Sequence, residues 1–204
     1  LGYLETDRHC SVRTRNQRLA AIRAFARYVG SRDPVLVEWC GHIRAIASKK
    51  AMPPAIGWLS RTEMDAMLAV PDRRTSQGRR EYALLLFLYN TGARVSEAVQ
   101  LRVRDLNLAR ARGGHDLATL LGKGGKVRQC PLWPETEQIL TAEIHGRAAD
   151  AAVFVSRLGE QYTRFGVYRL IERCARRVPQ LAKRAITPHV IRHTTACHLV
   201  QAGV

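Results

Sequence analysis

Three short stretches of this sequence combine residue types that handle phosphate chemistry. In Thr91-Gly92-Ala93-Arg94-Val95-Ser96-Glu97, an arginine follows the break that ends a strongly apolar run. An arginine at such a junction has a rigid base and can present its planar fork to a phosphate. The plainer reading is a surface arginine paired with Glu97. In Leu121-Gly122-Lys123-Gly124-Gly125-Lys126-Val127-Arg128, a lysine sits at a glycine-rich tip from which its ammonium can reach a bound duplex. The competing reading is a solvated turn. A phosphate-cradling P-loop is a poor fit, because Val127 rather than Ser or Thr follows Lys126. In Thr187-Pro188-His189-Val190-Ile191-Arg192-His193, Pro188 suits the first turn of a helix with Thr187 as its N-cap. His189, Arg192 and His193 then share one face at i, i+3 and i+4. A proton-moving imidazole beside a phosphate-holding guanidinium is one reading of that face. A basic helix with one buried histidine is the other.

In order and separation the three stretches resemble the tyrosine recombinase (phage integrase) family. Its motifs are T-G-x-R-x-S-E, a lysine in a G-K-G hairpin, and H-x-x-R. The resemblance covers nearly the whole chain. It implies a mainly α fold with a small antiparallel β-sheet (α+β), a catalytic domain preceded by part of a helical core-binding domain. It implies Arg94, Lys123, His189 and Arg192 as catalytic positions, with neither metal nor cofactor. The implied activity is site-specific DNA recombination or integration, by strand cleavage and rejoining through a covalent phosphotyrosyl intermediate. The partners it implies are double-stranded DNA and other recombinase protomers, assembled on DNA as a tetrameric synapse.

The residue types suit that chemistry. Cleaving a phosphodiester puts extra negative charge on the non-bridging oxygens, which many nucleases meet with metal ions. No cluster of acidic ligands is evident, so two arginines would supply the charge and the bidentate hydrogen bonds. In the family a tyrosine attacks and stays on the 3′ phosphate, which conserves the bond so that rejoining needs no ATP. By the same resemblance Lys123 protonates the leaving 5′ oxygen and His189 assists proton transfer at the tyrosine. The family's next motif, a Gly-His or Gly-Trp pair and then the nucleophile, has no counterpart here. All six tyrosines (Tyr3, Tyr28, Tyr82, Tyr89, Tyr162 and Tyr168) precede His189. The expectation is a chain cut before its nucleophile, one that binds DNA and does not cleave it.

The elements that must position these residues follow from periodicity. Residues 12–29 read as a helix with Leu19, Ile22, Phe25, Ala26 and Val29 on one face. Arg13, Asn16, Arg23 and Arg27 fall opposite. Thr14, Arg15, Arg23 and Arg27 are the candidate DNA contacts, because that helix turns its apolar residues the other way. A second apolar stretch runs from Pro34 to Ala47. Lys49-Lys50-Ala51-Met52-Pro53-Pro54 cannot continue a helix and marks a linker. The predicted organisation is therefore a helical DNA-binding piece at 1–48, a linker at 49–57 and a catalytic domain at 58–204, incomplete at its C-terminus. Ser60 with Glu63 is a capping box that opens a helix. Asp72 to Gly78 reads as a polar loop, Glu81 to Asn90 as a buried helix, and Val95 to Leu101 as a short one. Leu117–Leu121 and Lys126–Leu132 read as a hairpin, with glycines supplying positive φ at the turn. Helical patterns resume at Glu135–His145, at Arg164–Val178 and after Pro188.

Composition bounds the alternatives. The 204 residues carry 33 Lys and Arg against 17 Asp and Glu, a net charge of +16, and the pI is about 10.6. Such an excess points to a polyanion, most often nucleic acid. The net charge is +6 in residues 1–50 and +10 in the remainder, so both parts can face the same polyanion. The basic residues form no polybasic tail, which weakens a membrane-surface reading. No apolar run approaches the roughly 18 residues of a membrane span. Five cysteines, odd in number and without a C-x-x-C spacing, point to reduced thiols in a cytoplasmic protein. A non-catalytic helical DNA-binding regulator suits the charge equally well. It leaves the order of Arg94, Lys123, His189 and Arg192 unexplained, and an RNA-binding protein explains only the charge.

Overall fold

The computed structural model describes residues 1–51, 57–108 and 116–203, and of Lys123 the backbone only. The chain divides into two compact units, Leu1–Ala55 and Ile56–Val204. Residues 52–56 of the expected linker lie outside the described residues.

The first unit contains α1 (Gly2–Thr6), α2 (Val12–Gly30), a 3₁₀ turn (Pro34–Leu36) and α3 (Val37–Ala45). The Ser11 hydroxyl caps α2 by accepting from the Thr14 N–H at 3.2 Å. Leu19 and Ala26 of α2 and Cys40 of α3 are the buried apolar residues of this unit.

The packed face of α2 is rotated from the one expected. Ile22 and Phe25 are exposed, Phe25 by 66%, whereas Arg15 is only 6% exposed. The physical reason is a need for donors. Residues 46–49 leave α3 without helical hydrogen bonds and turn their carbonyls toward α2. Arg15 donates to Ala47 O at 3.1 Å and lies 3.6 Å from Glu5. Arg23 donates to Ile46 O and to Ser48 Oγ. Asn16 donates to Lys49 O at 2.7 Å and accepts from the Lys49 N–H at 3.1 Å, while Lys49 Nζ meets Glu5 at 2.7 Å. Arg15 and Arg23 therefore serve the chain's own backbone, which corrects the reading of their face. Thr14 is half-buried beside its cap and Arg27 is exposed.

The second unit runs α4 (Arg61–Leu68), α5 (Ser76–Thr91), α6 (Val95–Gln100), β1 (Leu106–Asn107), β2 (Leu117–Leu121), β3 (Val127–Pro131), α7 (Pro134–Ile144), α8 (Arg164–Arg177) and α9 (Pro188–Gln201). It is mostly helical, with one three-stranded antiparallel sheet among the described residues, ordered β1-β2-β3. The β2–β3 register runs from Leu117 opposite Pro131 to Leu121 opposite Val127.

The core forms around α5, whose Leu84, Leu85, Phe87 and Leu88 are buried with Leu120 of β2, Leu140 of α7, Leu170 of α8 and Ile191 of α9. Each such side chain contributes about 1.5–3 kcal/mol relative to exposure. The Ser60–Glu63 capping box at α4 is formed, at 3.2 and 2.8 Å. Arg184 donates to Trp58 O at 3.0 Å and pairs with Glu63 at 2.6 Å, which fixes the strand-like entry into this unit. α5 starts five residues earlier than expected, because Thr75 Oγ1 accepts from the Gly78 N–H and supplies a cap. No helix among the described residues is long and apolar enough to cross a membrane.

Candidate active site

The break after α5 depends on Gly92, which caps the helix in the left-handed region at φ 55°. A side chain there would be strained by that φ, and its Cβ would lie 3.5 Å from Thr195 of α9. This close approach seats α9 on the end of α5, and Thr195 Oγ1 donates to Tyr89 O at 2.7 Å. One turn along α9, the Arg192 guanidinium donates to Gly92 O. Arg94 follows two residues later in extended conformation as the N-cap of α6. Arg94 and Arg192, 98 positions apart (192 minus 94), are thus brought to one helix junction.

The base of the site is Glu97, whose side chain is only 2% exposed. Its Oε2 accepts from the Arg94 backbone N–H at 2.8 Å, and its Oε1 from Arg94 Nη1 at 3.0 Å. Arg128 of β3 reaches the same carboxylate with two donors, Nη1 to Oε1 at 3.0 Å and Nη2 to Oε2 at 2.7 Å. Burial pushes the Glu97 carboxyl up. The hydrogen bonds from Arg128 and Arg94 outweigh it and hold the group at about 2. Burial, then the nearby charges of Arg94 and Arg128, push the Arg192 guanidinium below its usual value. Three guanidinium groups thus feel one another, with a single carboxylate among them. Their net charge is +2, and among the described residues no second carboxylate pairs with them.

His189 is exposed in the first turn of α9, one turn before Arg192. The expected cap is present, with Thr187 Oγ1 accepting from the Val190 N–H at 3.4 Å. His193 is half-buried, its Nε2 3.8 Å from Cys197 Sγ. The backbone of Lys123 lies in the 3₁₀ turn Lys123–Gly125 that joins β2 to β3, and its side chain lies outside the described residues. Gly122 closes the hairpin neck, its N–H donating to Lys126 O at 2.7 Å. A Cβ at Gly122 would lie 3.4 Å from Glu97 Oε1, so the neck sits against the same carboxylate.

Sequence reasoning missed the roles of Glu97 and Arg128. Glu97 was visible only as a surface partner for Arg94. Its burial comes from a strand that is remote in sequence. Arg128 carried one signal, the strand alternation that turns it and Cys130 inward between exposed Val127 and Gln129.

Three of the six tyrosines, Tyr82, Tyr89 and Tyr162, are packed into the second unit, and Tyr3, Tyr28 and Tyr168 are exposed. Tyr89 is buried and hydrogen-bonds His198 Nδ1 at 2.7 Å, and burial pushes its phenol up. Tyr82 donates to Glu135, and burial followed by that carboxylate pushes it up to about 12. Burial pushes Tyr162 up as well. A raised phenol is a poor nucleophile. Among the described residues no cluster of His, Cys, Asp and Glu could hold a metal ion.

The sequence matches the model of the phage integrase family over residues 57–204. It is 37% identical over 201 residues to y4rD of Sinorhizobium fredii, a protein named for an integrase or recombinase, covering 95% of this chain and 70% of that one. It is 31% identical over 198 residues to the tyrosine recombinase XerC of Pelobacter propionicus, covering 93% of this chain and 61% of that one. The chain therefore spans between three fifths and three quarters of these relatives. The fold is similar to that of the Tn1549 transposon integrase in complex with circular intermediate DNA, at a TM-score of 0.68 and 20% identity, covering 98% of this chain and 70% of that one. It is also similar to XerA recombinase, at a TM-score of 0.60 and 21% identity, covering 99% of this chain and 66% of that one. On the family match and on these relatives, this chain belongs to the phage integrase family of tyrosine recombinases.

Proposed function

We propose that this chain grips the scissile phosphate of double-stranded DNA in site-specific strand cleavage and rejoining. The observation that carries the reading is the meeting of Arg94 and Arg192 at the Gly92 junction, over the buried Glu97. Two guanidinium groups on rigid elements, with net positive charge and, among the described residues, no carboxylate paired with them but Glu97, suit a phosphate that gains negative charge as it is attacked. Lys123 and His189 are the proton-handling groups, one on the hairpin tip and one on the open face of α9. The attacking residue is a tyrosine other than the six in this sequence, so residues 1–204 alone bind DNA without forming a covalent adduct. In the first unit Thr14 and Arg27 are the proposed contacts. In the second, α8 adds an exposed arginine face (Arg169, Arg173, Arg176 and Arg177) opposite its buried Val167, Leu170 and Ile171.

The reading predicts sequence-tolerant, salt-sensitive binding. Each phosphate neutralised releases condensed counterions, so log K should fall by roughly 0.9 units per contact for each unit of log salt. Titrating a fluorescent duplex from about 50 to 200 mM salt measures it, and six contacts would lower affinity by about three orders of magnitude. A flat salt series would remove the electrostatic basis of the proposal.

A further inference from the structure

We infer that Arg128 is a positioning residue: by taking both oxygens of Glu97 it keeps that carboxylate from neutralising Arg94. The inference rests on the phosphate-gripping reading of Arg94 and Arg192.

An arginine and a carboxylate left alone settle into a two-pronged pair, two parallel N–H···O bonds in one plane. In that arrangement Glu97 would occupy the donors with which Arg94 is to hold a phosphate. Here the two-pronged pair is made by Arg128 instead, at 3.0 and 2.7 Å. Arg94 retains only one side-chain contact to Glu97, through Nη1 at 3.0 Å, while its backbone N–H fixes the other oxygen. Nε and Nη2 of Arg94 make no hydrogen bond among the described residues, and its side chain is half-exposed. The carboxylate is thus an anchor for Arg94 and a full partner only for Arg128. The charge count agrees. Arg94, Arg128 and Arg192 with Glu97 leave +2, and loss of Arg128 leaves +1.

The same contact registers the hairpin. Arg128 is the second residue of β3, and the Gly122 neck lies against Glu97 from the β2 side. Lys123 is the next residue after that neck. The lysine-bearing turn and Arg94 are therefore referenced to one buried carboxylate, although they lie on different elements.

The test uses sulfate, whose charge does not change with pH, titrated into the 204-residue protein at low ionic strength. Backbone amide shifts of Arg94 and Arg192 are followed by NMR. Arg128→Met should weaken sulfate binding roughly five- to tenfold. Arg128→Lys keeps the charge but cannot bridge both oxygens, and it should weaken binding nearly as much. Arg128→Met combined with Glu97→Gln should recover much of the loss, because no carboxylate remains to capture Arg94. A residue that merely stabilises the fold would show no such recovery. Wild-type affinity in Arg128→Lys, or an uncorrected loss in the double variant, overturns the inference. If Arg128→Met fails to fold, Arg128→Lys decides it. An absence of saturable shifts at Arg94 and Arg192 in the unaltered protein is a different result, and it rejects the phosphate-gripping reading together with this one.

Discussion

Arg192→Ala is expected to abolish covalent joining of this protein to DNA once an attacking tyrosine is supplied, with a rate loss of at least about a thousandfold. The magnitude follows from where the guanidinium sits. It is partly buried, anchored to Gly92 O, and repelled by Arg94 and Arg128. A cation held against repulsion binds an incoming anion more strongly, because the anion relieves the repulsion. The measurement is a denaturing gel of a nicked duplex carrying the protein's own site. It compares residues 1–204 alone, the protein extended to include a tyrosine after α9, and the extended protein with Arg192→Ala. Only the second should give the slow covalent band. A band from residues 1–204 alone would show that one of their own tyrosines attacks, and the surface tyrosine Tyr168 would be the first to test. Persistence of the band in Arg192→Ala would remove this arginine from the mechanism.

The second large effect belongs to Glu97. Its carboxyl is held at about 2, against an ordinary value of 4.5. A carboxyl whose folded value is depressed contributes stability that is present above the unfolded value and is lost as pH falls through the folded one. The loss should therefore begin below about pH 5 and be complete only at about pH 1, below the folded value. After discounting for its half-exposed partners, the contribution is about 2 kcal/mol at neutral pH. Glu97→Gln should remove that amount at pH 7 and flatten the acid slope. Urea unfolding followed by the emission of Trp58 and Trp133, in a Trp39→Phe background, reads this unit alone. An acid slope unchanged in Glu97→Gln would assign the pH dependence to other carboxylates.

Much of this architecture is legible in the sequence because its signals are local. The Ser60–Glu63 box, the Thr187–Pro188 start of α9 and the glycine-rich hairpin each lie within a few residues, and each forms as local rules require. The apolar run of α5 had to be buried whatever surrounded it. What could not be read depends on partners far away in the chain. The face of α2 was misjudged because hydrophobicity was weighed without the carbonyls of residues 46–49, which pull Arg15 and Arg23 inward. By spacing, Arg15 falls between Leu19 and Ile22, and that position alone was a warning. β1 is two residues long, too short for any alternation to show. At the site, the order of Arg94, Lys123, His189 and Arg192 was available from the residues. The fact that Glu97 has two claimants, one of them 31 positions away, was not.

The pinning of residues 46–49 to α2 bears on the proposed binding of both units to one duplex. With Lys49 fixed to Asn16 and Glu5, and Trp58 fixed to Arg184, only eight peptide steps separate Lys49 from Gly57. Covalent geometry limits such a path to about 28 Å, whatever its conformation. If both units hold one duplex, as proposed above, this covalent limit keeps Lys49 and Gly57 within one turn of B-form DNA, which rises about 34 Å. Under that proposal, a covalent link this short would raise the local concentration of the second unit at the duplex to about the millimolar range. Weak contacts proposed for each unit would then multiply into avidity, and inserting residues between Lys49 and Gly57 would weaken overall binding without altering a single contact.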